Sequence, residues 1–319
     1  MTSNGDEGSE MTLTVLGCGT MGIAILSGIL SSLSSSSSSS SPSSPNKSTS
    51  TSSPSETPSR LPSRFIACVR SPTRAAQIQT ALSPHLNLIT IMQNENVDAC
   101  TRADIVLLAC KPYMVSSILR AEGMRSALRS KLLISICAGV TKDAILDSLS
   151  LSPGSEEVTV VRAMPNTASQ IRESMTVIAT SAPPLPSETE ALVTWIFKRI
   201  GDVVYLPASN MDASTALCGS GPAFFALVLE AAIDGAVAMG LPRAEAQRMG
   251  GADDEGRGGH PAILRDKVTT PGGCTIGGLL VLEEGMVRGT VAKAIREATG
   301  VAALLGKGVQ GVNGTRRLE

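Results

Sequence analysis

Residues 11–16 form a short apolar run, Met-Thr-Leu-Thr-Val-Leu, that closes on Gly17-Cys18-Gly19-Thr20-Met21-Gly22 and passes at once into helical spacing over residues 20–33. Three glycines at this spacing between a strand and a helix leave few folds open. The first permits a tight turn, the second lets the backbone approach a pyrophosphate, and the third lets helix and strand pack closely. The N–H groups at the helix start, around Thr20 and Met21, add donors and a favourable dipole for that anion. The expectation is a parallel sheet with a dinucleotide at its carboxyl edge.

The pattern that follows suits such a sheet. Helical spacing over residues 71–82, 115–127 and 142–149 alternates with strand signals at 64–69, 86–91, 105–109, 132–135 and 158–163. Alternation of this kind argues for parallel strands covered on both faces. Two further strand signals, 175–180 and 203–206, flank a helix over 188–200, and beyond residue 208 the chain is Ala- and Gly-rich with helical spacing only. Two domains are expected, 11–207 and 208–319. Residues 31–63 interrupt the first with 19 serines and five prolines. That composition buries almost nothing, so a disordered surface insert is expected there.

Composition removes several function classes. Lys plus Arg is 27 against 28 for Asp plus Glu, and aromatics are only 2%. Bulk charge therefore draws the chain to neither nucleic acid nor an anionic membrane, and base-stacking platforms are scarce. With two histidines far apart, His85 and His260, no metal site is expected and Ser-His-Asp catalysis is disfavoured. Seven cysteines without a CxxC pair read as small core residues in a reducing compartment. Residues 1–10 lack the basic start and apolar stretch of a targeting peptide, so a cytoplasmic protein is expected. Residues 221–241 carry Glu230 and Asp234 and read as a packed helix of a soluble protein, not a membrane span. Those two acids lie on one helical face without ligand company, which favours hydrogen bonding over metal binding.

Where this fingerprint binds NAD, the second strand usually ends in an acid that accepts from the ribose 2′-hydroxyl. Here it ends Cys68-Val69-Arg70-Ser71. A guanidinium and a hydroxyl suit a 2′-phosphate instead. NADPH is therefore the expected cofactor, with NADH as the alternative.

Five further motifs occur in order: Ala109-Cys110-Lys111-Pro112, Ser135-Ile136-Cys137-Ala138-Gly139, Arg162-Ala163-Met164-Pro165-Asn166-Thr167, Gly219-Ser220-Gly221-Pro222-Ala223 and Thr270-Pro271-Gly272-Gly273-Cys274-Thr275. Together they resemble pyrroline-5-carboxylate reductase, the last enzyme of proline biosynthesis, over residues 11–299 apart from the insert. The resemblance implies an α/β fold, an N-terminal Rossmann-type doubly wound sheet followed by an all-α C-terminal dimerisation domain, in a homodimer or higher oligomer. It implies that Asn96, Lys111, Pro112, Ala138 and Asn166 join Gly17, Gly19, Thr20, Met21, Gly22, Arg70 and Ser71 on the cofactor. It also places Thr270, Gly272, Gly273 and Cys274 at the substrate, with the catalytic Thr275 hydroxyl near the ring nitrogen.

The residues themselves agree with much of this. A Pro-Gly-Gly turn can aim successive N–H groups at a carboxylate, while Thr275 has the alternative role of a helix cap. Reducing a cyclic imine needs orientation and a hydrogen bond but no covalent nucleophile, so the scarcity of histidine is expected. Cys18 and Cys274 lack neighbours that would activate a thiol and read as packing residues.

One stretch departs from the family. Residues 250–259 carry five glycines and no large apolar side chain where the family has a long amphipathic helix. Each glycine costs a helix interior roughly 1 kcal/mol, so no helix is expected there. That break motivates a second reading, a cofactor-binding but inactive family member. A third, a β-hydroxyacid dehydrogenase-like reductase, calls for a lysine in a GxGxxxK helix motif, and Phe225 stands in that place.

Overall fold

The structure, a computed structural model, describes residues 10–36, 58–250 and 260–306, the last nine as backbone only. The chain divides into two compact units, with the division between Thr215 and Ala216.

The first unit holds eight strands: β1 (Met11–Leu16), β2 (Pro62–Val69), β3 (Ile89–Gln93), β4 (Ile105–Leu108), β5 (Leu132–Ser135), β6 (Thr159–Met164), β7 (Ser174–Ala179) and β8 (Gly201–Leu206). Their order is β3-β2-β1-β4-β5-β6-β7-β8. Strands β1 to β6 run parallel, β7 pairs antiparallel with β6, and β8 is parallel to β7. The helices of this unit are α1 (Thr20–Ser36), α2 (Pro72–Ala81), α3 (Asn96–Thr101), α4 (Val115–Leu119), α5 (Met124–Leu128), α6 (Lys142–Ser148), α7 (Ser187–Lys198) and α8 (Met211–Ser214).

The central strand shows why both faces must be covered. All four residues of β4 are buried. Ile105 and Leu107 share a core with Ile25 and Ile29 of α1 and Val193 and Phe197 of α7, while Val106 and Leu108 pack with Ile118 of α4 and Ile145 of α6. A strand apolar on both sides is the mark of a parallel sheet between two helical layers.

Several local expectations change. Helix α1 continues to Ser36, past the expected start of the insert, with Ser34 and Ser35 bonding back to Leu30 O and Ser31 O at 3.0 and 2.9 Å. At the far end Pro58 is buried, Ser59 donates from both N and Oγ to Glu188 Oε1 at 2.6 Å, and β2 already begins at Pro62. The insert is thus shorter than residues 31–63, and its middle, 37–57, lies outside the described residues. Residues 83–88 form a 3-10 turn around Pro84, which moves β3 to Ile89–Gln93. The expected helix over 115–127 is two helices separated by Gly123, whose φ is +83°.

In the second unit a π-helical turn, Thr215–Ser220, carries over into α9 (Gly221–Ala238), followed by α10 (Arg243–Met249), α11 (Pro261–Val268), α12 (Cys274–Glu284) and α13 (Val287–Gly306). Glycines set the packing of α9: a Cβ on Gly235 would stand 2.5 Å from Ala292 O of α13, and one on Gly278 of α12 would strike the Phe224 ring. Glu230 of α9, 16% exposed in its side chain, pairs with Arg288, with Arg265 and His260 each at 3.8 Å. Asp234 pairs with Arg243 at 2.8 Å. Both acids therefore take ion-pairing roles, and no group of three metal-ligating side chains occurs among the described residues. The continuous helical run Ala208–Ala238 is long and apolar enough to cross a membrane by length and composition alone. Helix α10 stops at Met249, capped by Gly250. Residues 251–259 of the glycine-rich stretch lie outside the described residues.

Candidate active site

Because β1 to β6 are parallel, the segments leaving their carboxyl ends line one rim of the first unit. Gly17 to Gly22 follow β1, Arg70 and Ser71 follow β2, Asn96 opens α3 after β3, Lys111 and Pro112 follow β4, Ala138 follows β5 and Asn166 follows β6.

The three glycines of the first turn do three different things. Gly17 has φ +75°, and a Cβ there would stand 2.7 Å from Cys110 Cα; a Cβ on Gly22 would stand 2.9 Å from Val15 Cγ1. A Cβ on Gly19, by contrast, would have only Gly17 O near it, at 3.8 Å, and otherwise points into open space. Gly17 and Cys18 both donate to Cys68 O, which pins the turn to β2, and Ile23 N–H closes the first helical bond on Gly19 O. The N–H groups of Thr20, Met21 and Gly22 remain at the helix mouth as anion donors.

At the end of β2, Ser71 is the N-cap of α2, its hydroxyl accepting from Arg74 N at 3.3 Å. Its oxygen thus has a structural task, and its proton is still free to donate. Arg70 is exposed, and its guanidinium has no partner among the described residues. Its carbonyl is held by Asn94 Nδ2 at 3.3 Å, with Asn94 at φ +60°. Across the rim, Asn166 caps the 3-10 turn 167–171, its Oδ1 accepting from Ala168 N at 3.2 Å.

The cysteines differ in their surroundings. Burial pushes the thiols of Cys18, Cys68 and Cys100 up to about 12, so they stay protonated. The positive charge of Arg74 weakly opposes that shift at Cys18. Past the ends of β4 and β5, Cys137 Sγ donates to Leu108 O at 3.4 Å and to Cys110 O at 3.3 Å, and the proximity of the two thiols holds Cys110 below its ordinary value and raises Cys137. Cys274 is exposed, so it is not the packing residue its sequence suggests.

In the second unit, the Thr270–Thr275 loop turns at Gly272, φ +68°. Gly273 N–H donates to Thr270 O at 3.0 Å, and Gly273 is the N-cap of α12 with no side-chain cap bond. The backbone donors left open at this helix start are therefore the first-turn N–H groups of Cys274, Thr275 and Ile276, which suit an anion. Thr275 lies inside the helix and caps nothing. Its Oγ1 stands 2.9 Å from Ser220 Oγ, both residues being buried.

Residues 208–305 match the family described as pyrroline-5-carboxylate reductase dimerisation, and residues 12–139 match the description NADP oxidoreductase coenzyme F420-dependent. A pyrroline-5-carboxylate reductase from Lophium arboricola is 64% identical, covering 99% of this chain and 100% of that protein. The chain belongs to the pyrroline-5-carboxylate reductase family. The reductase of that name from Neurospora crassa is 56% identical, covering 97% of each. A pyrroline-5-carboxylate reductase structure from Coxiella burnetii aligns with TM-score 0.57 at 24% identity, covering 93% of this chain and 99% of that one, which bears on the fold alone.

Within a pyrroline-5-carboxylate reductase, the rim residues fit an adenine dinucleotide phosphate: open space over Gly19, free first-turn donors and an unpartnered guanidinium at the end of β2. Ser220 was not among the expected site residues. Its signal lay in the Gly-Ser-Gly-Pro motif, where the hydroxyl is the only polar side chain. Asn94, left-handed and one residue past the end of β3, and Arg74, in the first turn of α2, were also unforeseen.

Proposed function

We infer that the chain catalyses the reaction of its family, the NADPH-dependent reduction of 1-pyrroline-5-carboxylate to L-proline, the closing step of proline biosynthesis. The rim of the first unit holds the cofactor and the Thr270–Thr275 loop holds the substrate. When bound, NADPH supplies the hydride.

The protein supplies the rest. Gly17, Gly19 and Gly22 with the N–H groups of Thr20 and Met21 receive the pyrophosphate. Arg70 and the Ser71 hydroxyl take the 2′-phosphate, with Asn96, Lys111, Pro112, Ala138 and Asn166 along the remaining rim. The first turn of α12, with Thr270, Gly272, Gly273 and Cys274 around it, fixes the substrate carboxylate. Thr275 Oγ1 donates to the imine nitrogen, which gains a proton as the adjacent carbon gains hydride. That hydrogen bond strengthens as the nitrogen becomes an amine, so it acts on the transition state more than on bound substrate.

The observation that carries this reading is the buried Thr275 hydroxyl, which takes no helix-capping role. Product analysis tests it: purified protein given NADPH and pyrroline-5-carboxylate should form proline, one per NADPH oxidised. Tight NADPH binding without proline would instead support the inactive-member reading.

A homo-oligomer belongs to the same proposal. Large apolar side chains stand exposed on the second unit at Leu217, Phe225, Met249, Leu280, Val281 and Met286, more than a lone soluble unit usually shows. A cytoplasmic location follows from the soluble biosynthetic role.

A further inference from the structure

We propose that Ser220 is a positioning residue for the reduction: its hydroxyl donates to Thr275 Oγ1, which directs the Thr275 proton to the imine nitrogen and then restores it. The inference rests on the reading of Thr275 given above.

A hydroxyl has one proton and two lone pairs, so its partners decide what it can donate. Elsewhere in this protein helical threonines spend that proton on the carbonyl four residues back, as Thr80 does on Ala76 O at 3.0 Å, Thr101 on Val97 O at 2.9 Å and Thr215 on Met211 O at 2.7 Å. Thr275 stands second in α12, so the residue four before it is Pro271, outside the helix, and no such bond forms. Its Oγ1 meets Ser220 Oγ instead, at 2.9 Å, with Ser220 1% exposed and Thr275 5% exposed.

Two arrangements of that hydrogen bond are open. If Thr275 donates to Ser220, its proton is consumed and nothing reaches the substrate. If Ser220 donates to Thr275, the Thr275 proton points elsewhere. The neighbour of Ser220 favours the second: Cys274 Sγ is 3.4 Å from Ser220 Oγ, and because sulfur is a weaker acceptor than a hydroxyl oxygen, the serine proton goes to Thr275 Oγ1 while the thiol donates to the serine. Cys274 is exposed, so the line Cys274 Sγ, Ser220 Oγ, Thr275 Oγ1 leads from solvent to a buried hydroxyl.

The proton count closes. The ring carbon gains hydride, and the nitrogen takes the Thr275 proton. Ser220 passes its own proton to Thr275 Oγ1, the Cys274 thiol restores the serine, and water restores the thiol. One proton enters from solvent for each imine reduced, and no side chain ends changed.

The test is a double-mutant cycle on the full-length protein with NADPH and pyrroline-5-carboxylate. Ser220→Ala should lower kcat about tenfold while KM stays within about twofold and the NADPH Kd is unchanged. In a Thr275→Val background the same change should cost nothing further, because the group it serves is gone. Ser220→Cys, which keeps a donor of similar size, should recover part of kcat, and it serves if the alanine variant folds poorly. Additive losses, or a raised KM with kcat kept, would mean that Ser220 only packs α9 against α12, and would overturn this inference alone. A Thr275→Val protein as fast as wild type would overturn both this inference and the role given to Thr275.

Discussion

Gly17 rests directly on Cys110: a Cβ built on the glycine would stand 2.7 Å from both Cα and Cβ of the cysteine, at a φ of +75°. The turn after β1 and the end of β4 are thus in backbone contact, and side-chain adjustment cannot relieve a clash there. Gly17→Ala should destabilise the first unit by about 2–4 kcal/mol, combining left-handed strain with overpacking. Gly19→Ala meets only open space, so it should melt within a few degrees of wild type yet bind NADPH at least tenfold more weakly. Thermal melts and cofactor titrations on the two variants check this. A Gly19→Ala protein with full NADPH affinity would place the pyrophosphate elsewhere.

The proposed function assigns the choice of cofactor to Arg70. Its guanidinium is unpartnered among the described residues, so removing it disturbs no internal bond. Arg70→Ala should therefore weaken NADPH binding by about 1.5–3 kcal/mol, the usual range for a hydrogen bond to a charged group, and leave NADH binding unchanged. Calorimetric titration with both cofactors separates the outcomes. Equal losses would show that Arg70 does not read the 2′-phosphate.

The buried thiols set an alkaline limit on the first unit. Cys18, Cys68 and Cys100 rise from 9.0 to about 12 on folding. Between those values the unfolded chain has released protons that the folded chain keeps, so stability falls as pH rises above 9 and is unaffected by these groups below it. The melting temperature should be flat from pH 7 to pH 8.5 and drop steeply beyond pH 9. At pH 8 only about one in ten thousand of each such thiol is ionised, so iodoacetamide should label the exposed Cys274 first. Rapid labelling of Cys18 or Cys68 in native protein would contradict the burial.

Assembly is tested on the second unit. Val281 is 66% and Met286 73% exposed within a single chain, so charges there disturb no intrachain core. The double variant Val281→Asp, Met286→Asp should fold, bind NADPH, and sediment at lower mass than wild type. An unchanged mass would move the interface to another face.

The rim was legible because its signals are local. A strand end, three glycines and an Arg-Ser pair sit next to one another in sequence, and the parallel sheet brings such neighbours to one edge. Features that depend on a distant partner were not. Helix α1 outruns its apolar stripe into serines whose hydroxyls bond back to carbonyls four residues before them, and Ser59 is held by Glu188, 129 residues away. Helix α3 is only six residues long, too short for a periodic signal. Thr275 could be read as a cap because only the fold brings Ser220 to it, from 55 residues away. Likewise the glycines of α9 announce close packing, but Gly235 spends its closeness on α13 of its own chain.

The central claim is that the Thr275 hydroxyl donates to the nitrogen being reduced, and steady-state oxidation of NADPH with saturating pyrroline-5-carboxylate tests it most directly. Thr275→Val keeps the shape and removes the donor. Its kcat should fall by about one to two orders of magnitude with the NADPH Kd unchanged. A valine variant that turns over at the wild-type rate would contradict the account.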